Sequence, residues 1–255
     1  MRLHAERQQA TTPNQNETLV LIHGLFGSLS NLGMLARALQ PDYDVLQIDL
    51  RNHGQSPHSE SMTYADMAQD VLDTLDALNI DRFSVIGHSM GGKVAMKLTE
   101  IAPERLQKLI VLDMAPFAYT ENHHDLIFKS LFAVDQAQVS TRKQAAEIMK
   151  SDIKEEAVIL FLLKSWSQGK WLFNLHGLHQ SYPDILSWKV LSGWPKSTLF
   201  LRGSHSDYVA QQAHLDAISA QFSAATVKTI QNAGHWLHAE QTEQVVNHIK
   251  IFLAA

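Results

Sequence analysis

Residues 87–91 read Gly-His-Ser-Met-Gly and directly follow an apolar run at residues 83–86. This Gly-x-Ser-x-Gly pattern is typical of a sharp turn from a strand into a helix, with a serine at the apex. The flanking glycines fit that geometry because the chain passes very close to itself before and after the apex. The serine hydroxyl then stands at a helix N-terminus, whose dipole favours developing negative charge. The pattern therefore predicts that Ser89 is a nucleophile.

A second glycine-containing loop, His-Gly-Leu-Phe-Gly at residues 23–27, follows the apolar run 18–22. An acyl-transfer nucleophile needs two backbone N–H donors aimed at the oxyanion that forms during attack. One comes from the residue after the serine and one from an earlier loop of this kind. These donors are predicted to be the N–H groups of Met90 and Leu25. His23 is expected to hold the loop in place.

A base for Ser89 is predicted near the C-terminus, where residues 232–236 read Asn-Ala-Gly-His-Trp after the last apolar run. A serine hydroxyl is a poor nucleophile until a base takes its proton. The chain has 14 histidines, so residue type alone selects none of them. His235 is distinguished by its position at the end of the final predicted strand. His88, inside the serine motif, is interpreted as a packing residue.

The apolar runs predict the scaffold that positions these residues. They lie at residues 18–22, 43–48, 83–86, 109–112, 198–201 and 225–230. Stretches with helical spacing separate them, and one such helix is predicted to begin at Thr63 with Asp66 completing a capping box. Continuously apolar strands separated by helices are typical of a parallel sheet covered on both faces. The fold class is therefore α/β, with a mostly parallel doubly wound sheet.

One interval is too long for a simple crossover between strands. About 80 residues separate Asp113 from Lys196, where a crossover needs only about a dozen. The interval is helical in character and rich in aromatic residues. We predict a helical cap (lid) domain at residues 117–195, inserted above the carboxyl ends of the strands, where such sheets bind ligands. Residues 1–116 and 196–255 then form the core domain.

Composition excludes several classes of protein. The 255 residues carry a net charge of −5, without a long basic run, so a nucleic-acid partner is not expected. There is no cysteine, which excludes disulfides and thiolate chemistry. The first residues lack the apolar stretch of a signal peptide and no run of 18 apolar residues occurs, so we expect a cytoplasmic protein without a membrane partner. No spacing of histidines is typical of a zinc site, and the sequence does not indicate an oligomeric state.

The order of these motifs resembles the α/β-hydrolase superfamily. The shared positions are residues 23–24, 49–56, 87–92 and 234–235, and the likeness covers nearly the whole chain outside the predicted cap. Residues 51–54 and 112–116 look in particular like those of the YbfF-type bacterial esterases. The resemblance implies the α/β-hydrolase fold, a Ser-His-Asp catalytic triad, and no metal or organic cofactor. It also implies small acyl esters, and acyl-CoA thioesters, as substrates.

The acid of the triad departs from the usual superfamily pattern. In most members it lies three residues after the glycine that ends the penultimate core strand. Counting from Gly203, that position is Ser206, which cannot be an acid, and Asp207 comes one residue late. Asp113 ends the neighbouring strand, and YbfF-like proteins share both the serine and this early aspartate. We predict Asp113 as the acid and Asp207 as its rival, with Ser206 assisting by a hydrogen bond.

Two classes of function follow from these motifs. The leading one is a serine hydrolase that cleaves carboxylic esters, or thioesters, through an acyl-enzyme on Ser89. The alternative is a lyase or a cofactor-free C–C bond enzyme on the same fold, which would need basic residues facing a polycarboxylate. A non-catalytic binding protein is less favoured, because Ser, His and Asp are all present.

Overall fold

The computed structural model describes residues 1–12, 17–120 and 124–255. Residues 121–123 of the predicted cap lie outside the described ranges. In the described chain a seven-stranded sheet has the order β1-β3-β2-β4-β5-β8-β9. Its strands are β1 (Ala5–Gln8), β2 (Thr18–Ile22), β3 (Asp44–Ile48), β4 (Phe83–His88), β5 (Leu106–Leu112), β8 (Thr198–Gly203) and β9 (Ala225–Ile230). A separate hairpin consists of β6 (Trp166–Ser167) and β7 (Lys170–Trp171).

The helices around the sheet fall into two groups. Those between or after the strands of the large sheet are α1 (Gly33–Leu39), α2 (Tyr64–Ala77), α3 (Met90–Ile101), α9 (Gln212–Gln221), α10 (Leu237–Glu240) and α11 (Thr242–Ala254), with a 3-10 helix at Leu29–Leu32 before α1. Those between β5 and β8 are α4 (Asp125–Gln136), α5 (Arg142–Met149), α6 (Glu156–Lys164), α7 (Leu175–Gln180) and α8 (Tyr182–Leu186).

The sheet is parallel from β3 to β9, and hydrophobic clusters pack on both of its faces. The predicted mostly parallel, doubly wound sheet is confirmed. The sequence missed β1, which pairs antiparallel with β3. β1 reads Ala-Glu-Arg-Gln and none of its residues is buried, so it has no apolar run to reveal it. β9, at the opposite edge, alternates exposed and half-buried residues instead of being apolar throughout.

The predicted capping box at the start of α2 is confirmed. The Thr63 hydroxyl accepts a hydrogen bond from the Asp66 N–H at 3.1 Å, and the Asp66 carboxylate accepts one from the Thr63 N–H. Over the described residues, no helix combines the length and apolar character needed to cross a bilayer. The cytoplasmic location stays a prediction.

The segment between β5 and β8 packs over the carboxyl end of the sheet. The Ser165 hydroxyl donates to the Phe26 carbonyl at 2.8 Å, and the Tyr64 hydroxyl donates to the Ile185 carbonyl at 2.6 Å. Apolar side chains of this segment, including Phe128, belong to the same hydrophobic cluster as those of the sheet. The segment therefore shares its core with the rest of the molecule. That residues 117–195 form a separate cap domain stays a prediction.

Candidate active site

Ser89 lies at the sharp turn between β4 and α3. Its backbone has φ 54° and ψ −121°, a strained conformation for a residue with a side chain. A Cβ at Gly87 would overlap the Gly91 backbone, and one at Gly91 would overlap the carbonyls of Ile22 and His23. Only glycine fits at both positions, so the two glycines allow the turn that lifts Ser89 above the sheet.

Three predicted site residues lie in one hydrogen-bonded line. His235 Nε2 is 2.9 Å from Ser89 Oγ, and His235 Nδ1 is 2.7 Å from Asp113 Oδ2. Each side chain sits just beyond the carboxyl end of a parallel strand: Ser89 after β4, Asp113 after β5 and His235 in the loop after β9. The arrangement can pass a proton from the serine hydroxyl to the imidazole, while the carboxylate fixes which ring nitrogen carries hydrogen.

Asp113, rather than Asp207, contacts the histidine. The Asp113 carboxylate is fully buried and also accepts hydrogen bonds from the Gly203 N–H at 2.9 Å and from the Ser206 hydroxyl. Asp207 is exposed on the loop after β8. With three donors around it, the Asp113 carboxylate is held in one orientation. Ser206 therefore supports Asp113 from the position at which most relatives of this fold would carry the acid.

The two predicted oxyanion donors flank Ser89. Leu25 and Met90 both line a small cavity together with Ser89. Met90 is the first residue of α3, so its N–H has no acceptor within the helix. Across the described residues, neither the Leu25 nor the Met90 N–H donates to another group of the protein. Both donors are therefore available to a bound ligand.

Two buried histidines hold the loop that carries Leu25. His23 Nε2 accepts from the Leu50 N–H at 3.1 Å while its Nδ1 lies 2.8 Å from the Gly24 carbonyl. His53 Nε2 accepts from the Phe26 N–H at 3.2 Å. An accepting nitrogen cannot carry a proton, so both rings are neutral. The supporting role predicted for His23 agrees with these contacts, whereas the role of His53 was missed.

Two further contacts of His235 were not predicted from the sequence. The Tyr208 ring stacks on the His235 ring with centroids 4.0 Å apart. His88 Nε2 lies 2.9 Å from the His235 backbone carbonyl, so its ring orients the loop of the base in addition to packing inside the turn. Only the folded chain reveals these contacts, since Tyr208 and His88 lie far from His235 in sequence.

Three cavities surround the site. Two small ones, of about 40 and 30 Å³, are both lined by Ser89. A larger one of about 520 Å³ lies beside His235 and is lined by Tyr208, Ser206 and Asp207, but not by Ser89. In the described parts of the chain, no group of three or more His, Asp or Glu side chains is arranged to hold a metal ion.

Buried neutral histidines make the fold sensitive to acid. Burial lowers the pKa of His53 and of His238 to about 3, and it also lowers the pKa of His23 and His88. Below pH 6.5 the unfolded chain takes up protons at these positions and the folded chain does not. The free energy of unfolding should therefore fall from pH 7 to pH 5.5, by up to about 1.4 kcal/mol per pH unit for each histidine. Urea denaturation at several pH values measures this slope.

Matched variants separate buried from exposed histidines in this experiment. His238→Leu removes one buried ring with a lowered pKa and should therefore reduce the slope. It is a suitable variant because His238 Nδ1 has no hydrogen-bond partner, among the described residues, that the substitution would leave unpaired. His58→Asn, which removes an exposed ring, is the matched control variant. An unfolding free energy that stays flat between pH 7 and pH 5.5 would contradict the expectation.

Known proteins share both the fold and the sequence. A family model described as the alpha/beta hydrolase fold matches residues 17–152. Esterase YbfF of Escherichia coli (strain K12) is 46% identical over 253 residues, which cover 99% of this chain and 99% of that protein. An sn-1-specific diacylglycerol lipase of Xenopus tropicalis is 36% identical over 247 residues, 92% of this chain and 77% of that protein. The solved structure of a marine microorganism esterase superposes with a TM-score of 0.91 at 32% identity, covering 98% of this chain and 99% of that one. The chain therefore belongs to the α/β-hydrolase superfamily and, within it, to the YbfF-type esterases.

Proposed function

We propose that this serine ester hydrolase works through a covalent acyl-enzyme on Ser89, with His235 as base and Asp113 as acid. The main support is the line of hydrogen bonds through the three side chains. Ser89 Oγ lies 2.9 Å from His235 Nε2, and His235 Nδ1 lies 2.7 Å from Asp113 Oδ2. Relatives named as esterases support ester hydrolysis as the reaction. With no cysteine in the chain, a thiolate nucleophile is excluded.

The reaction proceeds in two halves. His235 Nε2 takes the hydroxyl proton as Ser89 Oγ attacks the ester carbonyl carbon, and the N–H groups of Leu25 and Met90 bind the resulting oxyanion. His235 then gives its proton to the leaving alcohol, which leaves the acyl group on Ser89. Water attacks this acyl-enzyme with His235 again as base, and the acid product departs. Asp113 stabilises the imidazolium in both halves.

The acyl chain and the leaving alcohol of the substrate occupy different cavities. The two small cavities lined by Ser89 suit a short acyl chain, since pockets for drug-sized ligands occupy about 300–1,000 Å³. The leaving alcohol fits the 520 Å³ cavity, because His235 lines that cavity and donates the proton to the alcohol. Phe161 lines one acyl cavity and contacts Trp236, so residues of the predicted cap limit the length of the acyl chain.

Esters of simple alcohols are favoured over acyl-CoA thioesters. The phosphates of coenzyme A need cationic side chains at the exit of the leaving group. Among the described residues, neither Lys nor Arg lines the 520 Å³ cavity, and Asp207 does. A coenzyme A leaving group would therefore meet a carboxylate where it needs a cation. Comparing kcat/KM for butyryl-CoA and for ethyl butyrate tests this preference.

Covalent trapping tests the nucleophile directly. An alkyl fluorophosphonate should add once to each chain, because the phosphonyl group mimics the tetrahedral intermediate and the proposed oxyanion donors hold its oxygen. Peptide mass spectrometry should place the adduct on Ser89. Heat-unfolded protein is the control, since it keeps every serine but loses the activated one. An unlabelled native chain that still hydrolyses esters would contradict the acyl-enzyme.

A further inference from the structure

Lys93, on the first turns of α3, is a buried lysine close to the site. Its side chain is 1% exposed. Its ammonium donates to the carbonyls of Leu186 and Ser187, at 3.2 and 3.0 Å, just past the end of α8. The catalytic steps proposed above do not use this residue. Its place four residues after Ser89 puts it next to the reacting centre.

The charge on Lys93 has no counter-charge in the described chain. No carboxylate of the described residues lies within ion-pair distance of Nζ, and the ammonium instead faces the rings of Tyr119, Tyr64 and Trp188, with centroids 4.9, 5.4 and 5.8 Å away. Burial alone lowers the pKa of Lys93 to about 7. Burying an ammonium without a counter-ion costs several kcal/mol, so an anion that enters this environment would be bound strongly.

Lys93 and the nucleophile line the same cavity. Ser89, Leu25, Met90 and Lys93 all border the 30 Å³ cavity, and among the described residues no Asp or Glu lines it. An acyl chain that extends from Ser89 into this cavity, rather than into the 40 Å³ cavity beside Phe161, meets an ammonium without a carboxylate partner among the described residues. We propose that Lys93 binds a carboxylate at the far end of the acyl chain, which makes monoesters of short dicarboxylic acids the preferred substrates. The proposal rests on the acyl-enzyme at Ser89.

If Lys93 only held the turn after α8 in place, its positive charge would not be required. The Tyr64 hydroxyl already ties the same turn to the core through the Ile185 carbonyl, at 2.6 Å. That tie uses a neutral donor, which is less costly to bury than an ammonium. Tyr64 also borders the same cavity. Tyr64→Phe is therefore a matched control, because it removes one tie of this turn and leaves the charge in place.

The test compares charged esters with neutral esters of the same shape. Monoethyl succinate, glutarate and adipate are paired with ethyl 4-methylpentanoate, 5-methylhexanoate and 6-methylheptanoate, in which an isopropyl group replaces the carboxylate. In the best pair, kcat/KM of the wild type should favour the monoester by about 10- to 100-fold, the usual strength of a charge-assisted hydrogen bond. Lys93→Met should abolish that ratio, and Tyr64→Phe should keep it.

The outcomes distinguish this inference from the proposed function. A wild type that hydrolyses the neutral esters without favouring any monoester overturns the inference and leaves the acyl-enzyme intact. A Lys93→Met variant that keeps the wild-type ratio overturns it as well, and assigns Lys93 to holding the turn after α8. A wild type that hydrolyses neither class overturns the proposed function itself. The wild-type ratio decides the inference even where Lys93→Met does not fold.

Discussion

Ser89→Ala is expected to lower kcat for ester hydrolysis by about 10⁴- to 10⁶-fold, because it removes the hydroxyl that contacts the proposed base, His235 Nε2. The Ser89 hydroxyl has one side-chain hydrogen bond, to His235 at 2.9 Å. Alanine keeps a Cβ in the strained backbone conformation at φ 54°, so the turn itself changes little. Initial rates of wild type and variant with ethyl butyrate, at matched protein concentration, measure the loss.

The thermal midpoint separates a chemical effect from a structural one. Ser89→Ala should unfold within a few degrees of the wild type, since one partly exposed hydrogen bond contributes only about 0.5–1.5 kcal/mol. Ser30→Ala, in the 3-10 helix before α1, removes a hydroxyl away from the reacting atoms and should retain full activity. A Ser89→Ala variant with more than a tenth of wild-type turnover would exclude the covalent mechanism.

Asp113→Asn is expected to reduce kcat by about 10³- to 10⁴-fold, whereas Asp207→Asn should cost less than twofold. The amide at residue 113 removes the charge that stabilises the imidazolium. It also presents an N–H to His235 or to Ser206, which favours the wrong tautomer of the ring. Asp207 is exposed on the loop after β8, where solvent and salt screen its charge. The kcat values of both variants with one ester give the comparison.

The same pair of substitutions identifies the acid if our assignment is wrong. An inactive Asp207→Asn beside an active Asp113→Asn would restore the usual arrangement of the superfamily. Two mild effects would give the orienting role to Ser206, and Ser206→Ala would then be the damaging variant. Asn at residue 113 also leaves the Gly203 N–H with an oxygen acceptor, so the fold should persist and the kcat loss can be read as chemistry.

The sequence predicted those parts of the fold that depend on local rules. The strand-turn-helix at Ser89 was recognisable because glycines are required on both sides of a strained residue. The start of α2 was recognisable because Thr63 and Asp66 satisfy each other's backbone N–H groups. The parallel strands appeared as apolar runs because both faces of the sheet are covered. β1 was missed because an edge strand without a buried residue has no such run.

The contacts that tune the site were beyond sequence reasoning. Tyr208 stacks on His235, and Lys93 contacts the segment between β5 and β8, yet neither residue belongs to a motif with fixed spacing. Counting three residues from Gly203 reached Ser206, which cannot be an acid, and left Asp113 and Asp207 as the two candidates. The distance of 2.7 Å between Asp113 and His235 depends on how β5 and β8 lie side by side, which no local pattern specifies.

With the acid just after β5, as we propose, the loop after β8 is less constrained in its sequence. In most members of the superfamily that loop carries the acid. Here it supplies the Ser206 hydroxyl that supports Asp113 and the Tyr208 ring that stacks on His235. Asp207 and Gln211 border the 520 Å³ cavity. Substitutions at Asp207 and Gln211 can therefore accumulate without passing through inactive intermediates. Lineages with this arrangement can diversify in the alcohols they release while the reacting centre stays the same.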